Sequence, residues 1–230
     1  MTHETLLLRE HARALCFKLL SECYFLPSPD LLHQVRELKN HLALVSHEAM
    51  RHVSHMKEEL ENLEDLDSLR TDYARLFVGP YDLFAPPYGS VYLEGERKVM
   101  GISTNEVRAA YREAGLDVSE DFHDLPDHIS AELEFMYYLV FKEIERSLSS
   151  DLQGTMAYLT RQRAFLRSYL GPWVTQFTED VEQQAVSNFY RHLAQCTRVF
   201  VEENLEELGD LSLPEAQVPA RGESLASSAL

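Results

Sequence analysis

The chain has 230 residues, of which 45% are hydrophobic and 26% are charged, and its formal net charge is -17. This length and composition are typical of one globular domain with a hydrophobic core. The acidity disfavours nucleic acids and anionic membrane surfaces, which select basic patches, and suits a cationic peptide or protein partner, although solubility alone explains an acidic surface equally well.

The cysteines and the amino terminus predict a cytoplasmic protein. Cys16, Cys23 and Cys196 lack the spacing of a disulfide framework or a zinc site, so we expect buried, reduced thiols. Charged residues interrupt the apolar stretch near the amino terminus, which is therefore not a signal peptide. No segment approaches the roughly 20 apolar residues of a membrane-spanning helix, so no stable membrane insertion is expected.

Helical periodicity dominates the amino-terminal part of the chain. The first helix is predicted from about residue 4 and ends before the Pro-Ser-Pro-Asp sequence at 27–30, which caps a second helix beginning at Leu31. Residues 31–66 predict one or two amphipathic helices with a polar junction. Their histidines form a loose cluster, which we interpret as a solvated helix face because no cysteine accompanies it. These are His41, His47, His52 and His55.

An apolar, proline-rich loop then interrupts the helical pattern. A helix that opens at Asp67 ends at Gly79-Pro80, and an extended loop follows with Pro86, Pro87 and Tyr88. A loop this apolar is expected to pack on the core or to receive a partner. The last turns of the preceding helix place three apolar side chains on one face, those of Tyr73, Leu76 and Phe77.

The rest of the chain predicts further helices and no sheet. No run of alternating apolar residues appears, so the predicted fold class is all-α. We expect a single-domain helical bundle over residues 1–211 and a disordered tail over 212–230, which is rich in Ser, Ala, Pro and Glu. The predicted helices are 103–115, opened by a capping box of Ser103 and Glu106, about 126–147, about 151–170, which Gly171-Pro172 ends, and about 182–208.

Charged side chains lie at the start of the helix predicted from Pro126. His128 and Glu132 are four residues apart and share one helical face, which Asp127 and Glu134 flank. Three interpretations are open: a capped, salt-bridged helix, a carboxylate-rich receptor for arginine side chains, and a metal site. Carboxylate metal sites in helical bundles usually need Glu-x-x-His from two helices, and this sequence has one copy of that motif.

No catalytic signature accompanies these residues. The sequence contains no Gly-x-Ser-x-Gly nucleophile elbow and no Gly-x-x-x-x-Gly-Lys-Ser/Thr phosphate loop, so neither an acyl-transfer enzyme nor a nucleotide site is indicated. We therefore expect a protein that is not an enzyme, with no catalytic residues, no bound metal and no cofactor.

Three blocks of sequence, in this order, carry a family resemblance. They are Tyr-Ala-Arg-Leu-Phe-Val-Gly-Pro at 73–80 with Pro-Pro-Tyr-Gly-Ser-Val-Tyr at 86–92, Asp-His through Glu-Leu-Glu-Phe-Met at 127–136, and Phe-Leu-Arg-Ser-Tyr-Leu-Gly-Pro-Trp at 165–173. Together they resemble the TorD/DmsD family of redox-enzyme maturation chaperones, with the NarJ-type chaperones as relatives. The resemblance covers about residues 5–205.

The resemblance implies a cytoplasmic, all-helical chaperone without catalytic activity. Members bind the twin-arginine signal peptide, and often the body, of a molybdoenzyme catalytic subunit, and they delay its export through the Tat pathway until the molybdenum cofactor is inserted. Some members form domain-swapped homodimers. Carried over by motif, the signal-peptide-binding residues are Tyr73, Leu76, Phe77, Pro87, Tyr88, Asp127, His128 and Glu132.

On this interpretation, residues 73–92 form the apolar wall of a peptide groove and residues 121–134 form its charged wall. The chain departs from the family at Gly89, where glutamate is frequent, and at Tyr169, where histidine is frequent. Two alternatives belong to other classes of protein. One is an adaptor that recognises a folded redox-enzyme subunit without binding its signal peptide, and the other is a helical-bundle metalloprotein that uses His128, Glu132 and Glu134.

Overall fold

The structure, a computed structural model, describes residues 3–79, 84–94, 99–116 and 125–213. Within these ranges the chain is helical, and its one extended pairing is an isolated antiparallel bridge between Tyr88 and His128. The predicted all-α class is therefore confirmed. The helices are α1 (His3–Cys23), α2 (Leu31–Val45), α3 (His47–Asn62), α4 (Asp67–Tyr73), α5 (Gly89–Leu93), α6 (Ile102–Glu113), α7 (Ile129–Leu148), α8 (Leu152–Phe165), α9 (Gly171–Gln184) and α10 (Asn188–Asp210). Two π-helical turns, Ala74–Val78 and Leu166–Leu170, continue α4 and α8.

Helices α1, α7 and α10 form the centre of the bundle. α1 packs against α2 and α7, α7 also packs against α8, and α10 packs against α3 and α9. Phe17 of α1 meets Phe200 of α10 edge to face, with ring centroids 4.7 Å apart, and both side chains are fully buried. None of the described helices is long and apolar enough to cross a membrane.

Several helix ends lie where the sequence predicts them. α2 begins at Leu31, and the polar junction predicted within residues 31–66 is Ser46, whose Oγ accepts the Ala49 N–H at 3.0 Å and caps α3. α6 ends just before Gly115, which has a φ of +82° and therefore needs glycine. Most of the acidic stretch 116–125 and most of the predicted tail lie outside the described residues.

The predicted capping box at Ser103 is wrong. α6 begins at Ile102 with Gly101 as its N-cap, so Ser103 lies inside the first turn. Its backbone N–H and its hydroxyl both donate to Glu94 Oε1, at 2.8 and 2.7 Å. The carboxylate that satisfies this helix start comes from the preceding loop and not from Glu106, a tertiary contact that a local motif cannot reveal.

Gly171-Pro172 does not interrupt the helical path, contrary to prediction. The π-helical turn Leu166–Leu170 runs directly into α9, because Gly171 is helical and Pro172 occupies the first turn, where no N–H is needed. A Cβ on Gly171 would lie 2.4 Å from the Leu166 carbonyl oxygen, so glycine permits the widened turn. The predicted start of the last helix near Glu182 is also wrong, since that residue lies in α9 and Ser187 caps α10.

A buried polar network joins four helices at one end of the bundle. Arg13 of α1 is 3% exposed and donates to Glu10 Oε2 at 2.7 Å, to Glu143 Oε2 at 3.0 Å, to Gln162 Oε1 at 2.9 Å and to Asn204 Oδ1 at 3.1 Å. These partners lie on α1, α7, α8 and α10. The network borders a cavity of about 220 Å³. Burial raises the pKa of Glu143, and the Arg13 charge opposes that rise.

Candidate functional site

The proline-rich loop is hydrogen-bonded to the start of α7. The Gly89 N–H donates to the Asp127 carbonyl oxygen at 2.8 Å, and the Ile129 N–H donates to the Pro87 carbonyl oxygen at 2.9 Å. Between these bonds, the Tyr88 ring meets the His128 ring edge to face with centroids 5.3 Å apart. The two segments that the sequence assigns to opposite groove walls are therefore in direct contact at this point.

The side chain of Asp127 forms a further hydrogen bond between the start of α7 and the loop. Its side chain is fully buried, and Oδ2 accepts the Ser90 backbone N–H at 2.8 Å at the start of α5. The other oxygen, Oδ1, is buried and has no hydrogen-bond partner. The Ser90 hydroxyl is also buried and unpartnered. Buried polar atoms usually have hydrogen-bond partners. These two atoms could therefore form hydrogen bonds with a polar group that entered this part of the interior.

Glu132 lies beside Asp127 in the same buried layer. It is 1% exposed, and Oε2 accepts the indole N–H of Trp173 at 3.3 Å. Burial raises the pKa of Glu132 well above its usual value, and the Asp127 charge raises this pKa further, while the Trp173 hydrogen bond opposes both. Glu132 is therefore protonated at pH values where an exposed glutamate is ionised.

No basic side chain of the described residues forms an ion pair with Asp127 or Glu132. Two carboxyl groups buried together without a cation are costly, and protonation of one of them reduces that cost. A guanidinium group entering this layer would donate to both carboxylates in the planar geometry that arginine favours. The pair is therefore chemically suited to receive an arginine.

His128 has a structural role that the sequence only partly indicates. It is the N-cap of α7, and its Nδ1 accepts the Ser130 N–H at 3.1 Å and lies 2.6 Å from the Ser130 hydroxyl. The ring is 4% exposed. The predicted face shared by His128 and Glu132 exists, while Glu134 is exposed and points away from the buried layer.

The geometry does not favour the metalloprotein alternative. Glu134 is separated from Glu132 by the helix, and His128 Nδ1 is engaged by the backbone of α7. Across the described ranges, no group of three or more His, Cys, Asp or Glu side chains is arranged to hold a metal ion.

Leu76 and Phe77 lie in the buried aromatic core, and the half-buried Tyr73 packs against it. Leu76 is fully buried and Phe77 nearly so, and the Phe77 ring packs against Tyr24 and Tyr190 with centroids 6.0 and 5.6 Å away. This segment connects to the loop at its base, where the Ala85 N–H donates to the Leu76 carbonyl oxygen at 3.1 Å.

The structure adds residues that the sequence does not assign to the site. Trp173, in the third family block, contacts Glu132, and its ring stacks on Tyr92 with centroids 5.7 Å apart. At the outer surface, Val78 is 61% exposed and Phe84 is 46% exposed, which leaves apolar area beside the loop. The third block signals Trp173, and Val78 lies outside the face that the sequence assigns to Tyr73, Leu76 and Phe77.

Gly89 is closely packed against Trp173 and Glu132, which gives this departure from the family a physical consequence. A Cβ at this position would lie 3.0 Å from Trp173 Nε1 and 3.4 Å from Glu132 Oε1. Because the indole is fully buried, it cannot move aside without disturbing its neighbours. A glutamate at this position would need a different arrangement of the tryptophan.

Replacing Gly89 by alanine should lower the free energy of unfolding by about 1–3 kcal/mol, because the new methyl group overpacks the site. Urea denaturation measures the change. Gly209→Ala in α10 is the matched control, since a Cβ there meets nothing within 4 Å and should leave stability unchanged or slightly higher. A G89A variant as stable as G209A would contradict the packing described here.

Comparison with known proteins identifies relatives of the chain. The family model for the nitrate reductase delta subunit matches residues 29–179. The chaperone protein TorD of Shewanella loihica is 28% identical over 156 residues, which cover 66% of this chain and 67% of TorD. The Tat proofreading chaperone DmsD of Salmonella typhi is 30% identical over 133 residues, 58% of each chain. The perchlorate reductase assembly chaperone protein of Dechloromonas aromatica is 27% identical over 140 residues, 60% of this chain and 62% of that protein.

A solved structure shares the fold. It is the crystal structure of a protein from Archaeoglobus fulgidus assigned to redox enzyme maturation, with a TM-score of 0.52 and 24% identity over 84% of this chain and 93% of that one. The named relatives are chaperones rather than enzymes, and the family model spans more than half of the chain. The chain therefore belongs to the TorD/DmsD family of redox-enzyme maturation chaperones and is not an enzyme.

Proposed function

We propose that this protein is a cytoplasmic chaperone for a molybdenum-cofactor oxidoreductase and that it binds the twin-arginine signal peptide of that enzyme. Binding would delay export through the Tat pathway until the cofactor is inserted. The relatives support this proposal, since one is a Tat proofreading chaperone and another is an assembly chaperone of perchlorate reductase.

The observation that carries the proposal is the buried carboxyl pair under the aromatic loop. Asp127 and Glu132 have no cationic partner among the described residues, and one Asp127 oxygen is unpartnered. A signal peptide with paired arginines would supply the missing charge. The formal net charge of -17 would also attract such a peptide over several ångströms, an attraction that salt weakens.

Access to the carboxyl pair requires the loop to move. Residues 85–91 cover it and are nearly all buried, yet few backbone hydrogen bonds join them to Leu76 and to the start of α7. We expect Pro87 and Tyr88 to lift away from His128 and to contact the peptide. The apolar part of the signal would then bury Phe84 and Val78, at about 25 cal/mol per Å² before the cost of ordering the peptide.

Tyr73, Leu76 and Phe77 would act as the floor of this groove. Leu76 and Phe77 are buried in the free protein and Tyr73 is half-buried, so the peptide reaches Leu76 and Phe77 only after the loop has moved. The cost of that movement, added to the entropy lost by a disordered peptide, implies moderate and reversible affinity. Reversible binding suits a chaperone that must release its client for export.

A calorimetric titration tests the proposal. The ligand is the signal peptide of a molybdoenzyme catalytic subunit encoded in the same genome, compared with the same peptide carrying alanine at both arginines. We expect saturable binding of the twin-arginine peptide, weakening as salt rises, and binding at least about tenfold weaker for the alanine peptide. Equal binding of both peptides would refute arginine recognition.

A pull-down separates this proposal from the adaptor alternative. Full-length client and client lacking its signal peptide are presented to the immobilised chaperone at equal concentration. We expect the full-length client to be retained more strongly. Equal retention would favour an adaptor that recognises the folded subunit.

A further inference from the structure

The cavity beside the Arg13 network has apolar walls and room for a small ligand. Its volume is about 220 Å³. Leu159 of α8 and Leu208 of α10 line it, and Leu6 of α1, which is 47% exposed, lies where it meets solvent. An apolar cavity of about 150 Å³ binds benzene, so this one suits a ligand of about nine non-hydrogen atoms, which is smaller than a drug-sized molecule.

The polar part of the cavity does not suit an anion. Arg13 lines the cavity, and all three of its guanidinium nitrogens already donate. Nε donates to Glu10 Oε2, one terminal nitrogen donates to Asn204 Oδ1, and the other donates to Glu143 Oε2. An anionic ligand would find this guanidinium engaged and would meet the carboxylates that surround it.

Carboxyl groups outnumber cations around the cavity. Glu10, Glu143 and Glu207 line it together with Arg13, and Arg9 pairs with Glu10 at 3.2 Å and with Glu207 at 2.7 Å. Two guanidinium groups therefore face three carboxyl groups. Burial raises the pKa of Glu143, the Arg13 charge opposes that rise, and the charges of Glu10 and Glu207 add to it. A further cation in the cavity would offset the excess negative charge.

One oxygen of Glu143 is available to such a cation. The residue is 6% exposed, and its Oε2 accepts hydrogen bonds from Arg13 at 3.0 Å and from Gln162 at 2.8 Å. Its other oxygen, Oε1, accepts no hydrogen bond from the part of the chain that the structure describes. Buried carboxylate oxygens usually have donors. Because Glu143 lines the cavity, a ligand placed there can supply the missing one.

We propose that this cavity binds a small aliphatic primary amine in its protonated form. The ammonium group, which has three N–H donors and no acceptor, donates to Glu143 Oε1. The alkyl chain packs against Leu159 and Leu208. Neither Asp127 nor Glu132 lines the cavity, so the proposal does not depend on signal-peptide binding.

A methyl NMR titration of the full chain with hexylamine near neutral pH tests the site. We expect saturable shifts of the Leu159 and Leu208 methyl signals and none for Leu38, which is buried in α2 and does not line the cavity. 1-Hexanol, which has the same chain and no charge, should bind at least about tenfold more weakly, because hydrogen bonds between charged groups are stronger. Hexanoate should not bind, since it adds another negative charge.

Two pairs of variants identify the groups that hold the amine. Glu143→Gln keeps an amide oxygen for its two partners but removes the charge, so it should lose the preference for hexylamine over hexanol. Glu145→Gln, two residues along α7 and exposed, is the matched control and should keep that preference. Leu159→Phe fills the cavity and should abolish the binding of both ligands. Leu152→Phe, at a 74% exposed position of the same helix, should bind them as the parent does.

The proposal is overturned if the parent protein shows no saturable hexylamine binding, or if it binds hexanol as tightly as hexylamine. A preference for hexylamine that survives in the folded Glu143→Gln variant would also contradict it. A lysine side chain of a protein partner carries the same ammonium group, and Nα-acetyl-lysine methylamide represents it. We expect this compound to bind more weakly than hexylamine, because its peptide groups cannot pack against the leucine walls; tighter binding would overturn the assignment to a free amine.

Discussion

The double variant Asp127→Asn/Glu132→Gln should bind a twin-arginine peptide about 2–5 kcal/mol more weakly than the parent protein, because the incoming guanidinium groups lose both charged acceptors. The substitutions keep the shape of the site. Asparagine can still accept the Ser90 N–H, and glutamine can still accept the Trp173 indole N–H. Peptide titration by calorimetry measures the change.

The stability of the double variant distinguishes a loss of peptide binding from a loss of the folded structure. The pKa of Glu132 is raised in the folded protein, so the folded state holds a proton that the unfolded chain releases, and stability falls as pH rises from the ordinary glutamate pKa towards the raised one. Glutamine removes that penalty, so the double variant should be at least as stable as the parent near neutral pH. Glu134→Gln, two residues along α7 and exposed, is the matched control. A double variant that binds like this control would contradict the account.

Replacing Arg13 by methionine should lower the free energy of unfolding by about 3–5 kcal/mol, because it leaves the buried Glu143 carboxyl group without its cation and leaves Glu10 with only the more exposed Arg9. Gln162 and Asn204 each lose a donor in the same step. Chemical denaturation monitored by circular dichroism measures the loss.

Two control variants test this explanation. Arg9→Met breaks the more exposed pairs of Arg9 with Glu207 and Glu10 but leaves Arg13 bound to Glu10, and it should cost less than about 1 kcal/mol. Arg13→Met combined with Glu143→Gln should recover part of the loss, because the glutamine is neutral and can still bond Gln162. A cost for Arg13→Met no larger than that of Arg9→Met would mean that the buried network contributes little.

Much of the fold follows from local sequence. The proline cluster at 27–30 separates α1 from α2, Ser46 supplies a cap, and Gly115 provides a left-handed residue, each through the backbone chemistry of a few neighbouring residues. The errors arise where distant groups decide the outcome. Glu94 satisfies the start of α6, and the widened turn before Gly171 carries the chain into α9 without a break.

The sequence predicts which residues make up the candidate site, but it does not predict how far their side chains are buried. Spacing and family motifs select Asp127, His128, Glu132 and the Pro87-Tyr88 segment, and the structure brings these residues together. Periodicity could not show that the carboxyl groups are buried without a cation, nor that Phe77 packs into the aromatic core beside Tyr73. Likewise, His192 lies 140 residues from His52, so no sequence window could show that these two rings meet between α3 and α10.

The central claim is that arginine enters a buried carboxyl layer in which Glu132 is protonated. It is tested most directly by measuring the enthalpy of twin-arginine peptide binding in two buffers with different ionisation enthalpies, near neutral pH. An arginine paired with Glu132 favours its charged form, so we predict release of up to about one proton per peptide bound and tighter binding as pH rises towards the raised pKa of Glu132. The Glu132→Gln variant should release none. Binding of the peptide with no buffer dependence in either protein would contradict the account.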